Sequence, residues 1–367
     1  MTVGCFASAP AAMYFSLLVN RVSVHTDSMK SGAPIVTSIP PGVFGVSEAK
    51  QNTAAAIASF ERSGFRVVSL GRPGEPSGSA HFPTVQFQEA SGRGVIPNRY
   101  GPSFGDLLGA LGDEDVGAVV NADIYMAQSN ILDVLDASSD TVLVARRVDV
   151  ERLGGAVIGV YQRGIDGIFF SRNTASEIRD DAELASFQLG APYWDVVLPV
   201  AASFHHRLRF LPAPFLSHPI HEAKWNEADY RLLRTQAVKA IVNHAERHRH
   251  RRANADAFLK GLERYLEAAK PNSPLRREKR IAEYLGHWLG RYEASTVDEL
   301  EMDLSDPVMR TSAQNLFAYS AEGLSLARLL DTQELSLPLV ARVAFRAFRR
   351  SFRARKRTRQ IQRQLHP

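Results

Sequence analysis

From Pro34 to about Leu216 the chain alternates short β-branched runs with amphipathic stretches, and nothing else in the sequence constrains the fold as much. "PIVTSI", "FRVVSL", "TVQFQ", "GAVVNADI" and "TVLVARRVDV" read as strands. Between them lie three helical segments: "AKQNTAAAIASFERSG" closed by Gly64, "SFGDLLGALGD" with Ser103 as its N-cap, and "QSNILDVLDAS". Parallel strands need helical crossovers, so the pattern predicts an α/β domain with a mostly parallel sheet and helices on both faces. After Trp225 the strand signals stop. "NEADYRLLRTQAVKAIVNHAERHRHRRANADAFLKGLERYLEAAK" and "REKRIAEYLGHWLGRYEA" read as helices separated by "PNSP", and "TVDE" at Thr296–Glu299 reads as a capping box opening a further helix. The expected organisation is a leader at 1–29, over-extended or disordered, a sheet domain at 30–225, a helical annex at 226–340 and a tail at 341–367.

Charge separates the tail from the rest. Ten Lys or Arg and no Asp or Glu fall between Ala341 and Pro367, so 34 basic and 39 acidic residues remain in the other 340, a net −5. Ala341, Phe345, Phe348 and Phe352 recur at helical spacing within that basic field. An amphipathic basic helix of this kind suits an anionic membrane surface. Nucleic acid is not the expected partner, since no recognised module accompanies the arginines. No apolar run reaches the length of a transmembrane helix, and no Lys or Arg precedes the apolar middle of "CFASAPAAMYFSLLVN", which argues against a secretory signal. Cys5 is the single cysteine, so there is neither an internal disulfide nor a thiolate metal cage, and a reducing, cytoplasmic compartment is expected.

Polar residues stand where the central strands end. Asn121 and Asp123 follow "GAVV", and Thr37 and Ser38 follow "PIV". In an open parallel sheet the crevice beyond the carboxyl ends of the strands is where ligands bind. A carboxylate there can hold a cation, and hydroxyls and backbone amides beside it can contact a nucleotide. The same residues also suit a strand exit and a helix cap.

The succession "IVTSIPP", a helix, "GFRVVSLG" and then "AVVNADIYM" resembles the nucleotide-diphospho-sugar transferases, the glycosyltransferases of the GT-A fold. The resemblance covers roughly Pro34 to Trp225. It implies a Rossmann-like GT-A sheet and an Asp-x-Asp motif whose carboxylates hold Mn²⁺ or Mg²⁺ on the donor diphosphate. Here the motif reads Asn121-Ala122-Asp123, so the second acid is present and the first is an amide. The resemblance also implies a further metal ligand after the core, for which His218 and His221 of "LSHPIHEAKW" are the candidates. In "LGAPYWDVVLP", Trp194 can stack on a sugar and Asp195 can act as general base, while Asp166 in "GIDGIFFSR" is a second catalytic candidate. Each has a plain structural alternative: a core indole, a helix N-terminal acid and a turn. His244, His248 and His250 in "HAERHRHRR" read as a solvated helix face.

The implied activity is transfer of a sugar from a nucleotide-sugar donor to a glycan or lipid-linked acceptor, as in polysaccharide biosynthesis, by a cytoplasmic protein peripheral at the inner face of a membrane. One alternative is a nucleotidyltransferase of related fold, against which the absence of a basic residue in "PPGVFG" counts. Another is a non-catalytic, membrane-associated scaffold that binds a sugar nucleotide, in whose favour Asn121 speaks.

Overall fold

The computed structural model describes residues 32–308 except 46, 92–100, 113, 115, 137–140, 161–164, 212–214, 221–224 and several positions between 293 and 307. The leader, most of "TVDE", His221 and the basic tail lie outside the described residues.

Three successive strands, β1 (Pro34–Thr37), β2 (Arg66–Gly71) and β3 (Gln86–Glu89), run parallel, with α1 (Ser47–Arg62) crossing from the first to the second. Gly64, at φ +84°, ends α1 in the left-handed conformation that costs a glycine least. After α2 (Phe104–Ala110), whose N-terminus Ser103 and Asp106 close as a capping box, β4 (Val116–Val120) returns parallel to β1 on its other side. The sheet continues through β6 (Thr141–Ala145), β9 (Gly167–Ser171) and β10 (Arg207–Phe210), giving the order β3-β2-β1-β4-β9-β6-β10. Among the described strands of this sheet, β9 alone is antiparallel to its neighbours. A smaller sheet, in the order β5-β11-β7-β8, comprises β5 (Tyr125–Met126), β7 (Arg147–Val150), β8 (Val157–Val160) and β11 (Leu216–Pro219). "TVLVARRVDV", expected as one strand, is therefore two. The run is apolar on both sides through Ala145, as a central strand is, and then alternates from Arg147 as a half-buried strand of the second sheet does.

Strand residues alternate between two cores. Val36, Val119, Val142, Val144, Ile168 and Phe170 face α2, α4 (Arg172–Arg179), α5 (Ala182–Ala185) and α6 (Trp194–His205). Ile35, Ala118, Val120, Leu143 and Phe169 face α1, α3 (Ile131–Asp136) and the smaller sheet. Helices thus cover both faces, as the period-2 pattern requires. The long helical stretch after Trp225 divides into α7 (Glu227–His248), α8 (Ala253–Ala269) and α9 (Pro274–Gly290), which close on α6 around Phe204, Phe258 and Trp288. Each of those fully buried rings contributes roughly 2–3 kcal/mol, and the Trp288 indole donates to Ser203 Oγ at 2.8 Å.

His244 corrects the expectation of a solvated α7 face: it is fully buried, because that side of the helix packs on α6. Of "TVDE", Val297 is described, and its amide donates to the Phe210 carbonyl. Among the described residues no helix is long and apolar enough to cross a membrane.

Candidate functional site

Register places the polar strand ends side by side. Val36 pairs with Val119, so Thr37 stands level with Val120, and Ser38 with Asn121. The Thr37 hydroxyl is fully buried and has no hydrogen-bond partner in the protein. Ser38 Oγ donates to the Leu70 carbonyl at 3.0 Å, which ties the end of β1 to β2.

Beyond β4 a network of charges gathers from four elements. Asp166, just before β9, is 1% exposed and accepts from Arg147 Nη1 at 2.8 Å and from Asn121 Nδ2 at 3.4 Å. Arg147 Nε also donates to Asp149 Oδ1 at 2.8 Å. His218, in β11, lies between two carboxylates, with Nε2 3.4 Å from Asp123 Oδ2 and Nδ1 3.4 Å from Asp149 Oδ1. Burial works against charge on His218, but Asp123 and Asp149 outweigh it and push the imidazole up to about 9, so it is a cation at neutral pH. Burial is also the largest influence on Asp149, yet His218 and Arg147 hold its carboxyl below the ordinary range. Asp166 goes the other way: burial, helped by the nearby Asp123, raises it against Arg147 and His218. Its Oδ2 is buried without a hydrogen-bond partner.

The structure thus brings Asn121, Asp123, Asp166 and His218 together. It adds Arg147 and Asp149, which sequence reasoning missed. Their signal was the double arginine interrupting an apolar strand, followed by the alternation Arg-Val-Asp-Val. That pattern marks the change from one sheet to the other.

Asp195 connects to this network through its backbone. Pro199 lies inside α6 and has no N–H for the Asp195 carbonyl four residues earlier. The free carbonyl accepts instead from Ile165 N at 2.8 Å, which pins the residue preceding Asp166 to the first turn of α6. Ahead of that turn Tyr193 adopts φ 74°, a left-handed conformation costing a non-glycine residue on the order of 1 kcal/mol. Gly190, at φ +73°, passes Asn121 closely enough that a Cβ would sit 3.9 Å from its Oδ1. Trp194 is 4% exposed within the main core and leaves little ring surface for a sugar. Trp225 is the indole that reaches the Gly190 loop, donating from Nε1 to the Gly190 carbonyl at 2.9 Å.

Asp123 and His218 fit a divalent cation as a mixed oxygen and nitrogen pair of the kind Mn²⁺ accepts. Asp149 stands at the far ring nitrogen of His218, where an orienting carboxylate belongs. The partnerless Asp166 oxygen leaves further acceptor capacity at the same place.

No family model matches the chain, and no curated protein does. Among solved structures, the chain is similar to the mannosyltransferase PcManGT from Pyrobaculum calidifontis in complex with GDP-Man and Mn²⁺, at 13% identity over 92% of this chain and 86% of that one, with a TM-score of 0.35. It is also similar to S. aureus TarS 1–349 in complex with UDP-GlcNAc, at 12% identity over 78% and 89%, with a TM-score of 0.38. A third similar structure is the inositol-1-phosphate CTP transferase from T. maritima, at 10% identity over 56% and 96%, with a TM-score of 0.31.

Proposed function

We propose that the chain transfers a sugar from a nucleotide-sugar donor to a glycan or lipid-linked acceptor. One observation carries the reading: Asp123, Asp149, Asp166, Arg147 and His218 converge beyond β4, at the ligand-binding edge of a mainly parallel sheet, with one buried carboxylate oxygen lacking a partner. A purely structural network would be expected to close its own hydrogen bonds.

In this reading Asp123 and His218 would hold Mn²⁺ or Mg²⁺, and the ion would supply charge neutralisation for the departing diphosphate. His218 would offer Nε2 to the ion in its unprotonated form, with Asp149 orienting the ring from the Nδ1 side. Asn121 and Ser38 contact the nucleotide, Ser38 with its backbone, since its hydroxyl serves Leu70, and Thr37, fully buried beneath them, supports the strand end. Asp195, on the first turn of α6, is the candidate base for the acceptor hydroxyl, and Trp194 supports that turn from the core. Asp166 orients Arg147 and Asn121 toward the donor. The basic tail, read from its composition, rests on an anionic membrane.

The test is a screen of nucleotide sugars for binding by calorimetry with and without Mn²⁺, repeated on Asp123→Ala. Metal-dependent binding in the parent, lost by at least about a hundredfold in a folded Asp123→Ala variant, is the expected result. Unchanged Mn²⁺-dependent affinity in that variant defeats the assignment.

A further inference from the structure

Histidines gather a second time, at the opposite end of α6. His205 is its last residue, and its side chain is 1% exposed. His244 and His248, one turn apart on α7, lie on one helix face toward it. The Nε2 atoms of His205 and His244 are 2.8 Å apart, and the His248 ring centroid is 4.6 Å from each of the other two. One ligand nitrogen from each ring lies within 4.8 Å of the others.

Carboxylates stand behind two of the rings. His244 Nδ1 is 2.5 Å from Asp181 Oδ2, and His205 Nδ1 is 2.8 Å from Glu177 Oε2. The Asp181 hydrogen bond favours the His244 tautomer protonated on Nδ1, and the Glu177 charge, close to His205 Nδ1 without hydrogen-bond geometry, biases that ring the same way, which leaves the lone pairs on Nε2. Two such lone pairs facing each other at 2.8 Å repel unless a proton or a cation lies between them. Asp181 also takes Arg247, and Glu177 takes Arg252, so both carboxylates are held at the rear and do not reach in as ligands.

We propose that His205, His244 and His248 bind a late first-row divalent metal ion, Zn²⁺ foremost, which clamps the end of α6 to α7. The ligand type is right: neutral imidazoles, each of two backed by a carboxylate, form a common arrangement around zinc. Zn–N bonds of about 2.0–2.1 Å in a tetrahedral site set nitrogens about 3.3 Å apart. The 2.8 Å pair need open by only about half an ångström, and the third nitrogen need close in. His248, partly exposed, leaves room for water as a fourth ligand. The cation would also sit at the C-terminal, negative end of α6. None of these residues belongs to the network around Asp123. At 1.5 Å per residue the two ends of α6 are about 16 Å apart.

The experiment uses the full chain without an affinity tag, treated with chelator and titrated with ZnCl₂ by calorimetry and with CoCl₂ by visible absorption. Saturable binding retained in Asp123→Ala, together with a cobalt band of the intensity given by low-coordinate nitrogen ligation, is expected. His248→Gln, chosen because His248 is the least buried ligand, should weaken Zn²⁺ by at least about tenfold. Absence of the cobalt band in the parent overturns the proposal, whether or not the variant folds. So does Zn²⁺ affinity in His248→Gln equal to the parent's, which would leave the cluster as two histidines sharing a proton.

Discussion

His218 and His205 are both buried histidines beside carboxylates, yet they are pushed in opposite directions, one up to about 9 and the other down to about 3. Burial penalises charge in both. What differs is the sign of the surroundings. His218 has Asp123 on one ring nitrogen and Asp149 on the other, and Arg147 is the one cation among its main influences. His205 has Glu177, but that carboxylate is occupied by Arg252, and the other facing groups are histidines. A histidine flanked by acids becomes part of a charged, polar site. A histidine flanked by histidines remains a neutral donor of lone pairs.

The largest expected effect comes from breaking the acid-rich side. Asp166→Ala leaves Arg147 without its buried carboxylate and Asn121 without an acceptor. Removing one member of a buried pair costs about 3–5 kcal/mol, and Arg147, 19% exposed, recovers some of that from water. A loss of about 3 kcal/mol in urea unfolding at pH 7 is expected, whereas a loss under about 1 kcal/mol would show that the network is solvated.

Next comes pH, where the two histidines must act with opposite signs. His218 binds its proton more tightly folded than unfolded. Its contribution is complete below pH about 6.5 and is lost as pH rises through about 9. His205 binds its proton less tightly folded. Stability therefore falls as pH drops below about 6.5 toward 3. Each limb has a slope of at most about 1.4 kcal/mol per pH unit. Urea midpoints measured from pH 4.5 to 9.5 should flatten on the alkaline side in His218→Gln and on the acid side in His205→Gln. Flattening of the same limb by both variants would erase the comparison.

A smaller effect isolates the charge at the second cluster. Asp181 caps α5 through the Glu183 and Leu184 amides, and asparagine caps a helix equally well. Asp181→Asn therefore keeps the cap and removes only the charge facing His244 and Arg247. A cost of about 1–2 kcal/mol is expected, with His218 titrating as before.

The contrast also marks how far the sequence is legible. Asn121 and Asp123 could be placed because a short apolar run announces its own end, and Gly64 and Ser103 could be placed because caps are local chemistry. Arg147 and Asp149 could not. Recognising them requires knowing that the chain leaves one sheet for another after Ala145, and although β8 pairs with β7 nearby, the strands that separate the two sheets there, β9 and β11, lie more than twenty residues from Ala145. His244 was obscured differently. The charged residues around it in "HAERHRHRR" mask its place on the face that Ala237, Ala240 and Ile241 present to α6. Whether Trp194 faces a sugar or the core is also not legible, because an indole beside a carboxylate carries no record of which way the ring turns; the structure buries it to 4% exposure.

The finest test removes one acid from beside His218 and leaves the metal-facing one in place. In Asp149→Asn the amide can still accept from His218 Nδ1, so ring orientation should persist, but one negative charge is lost. Asp123 remains at Nε2, so the histidine should stay above its ordinary 6.5 and fall by about one unit from about 9, or about 1.4 kcal/mol. Proton NMR of the ring resonances through pH 6–10 reads this directly. A drop below 6.5 would mean that Asp149 alone charges the ring and that Asp123 is turned away from it. No drop would mean that Arg147 already neutralises Asp149, which would make Asp123 the sole electrostatic partner of His218.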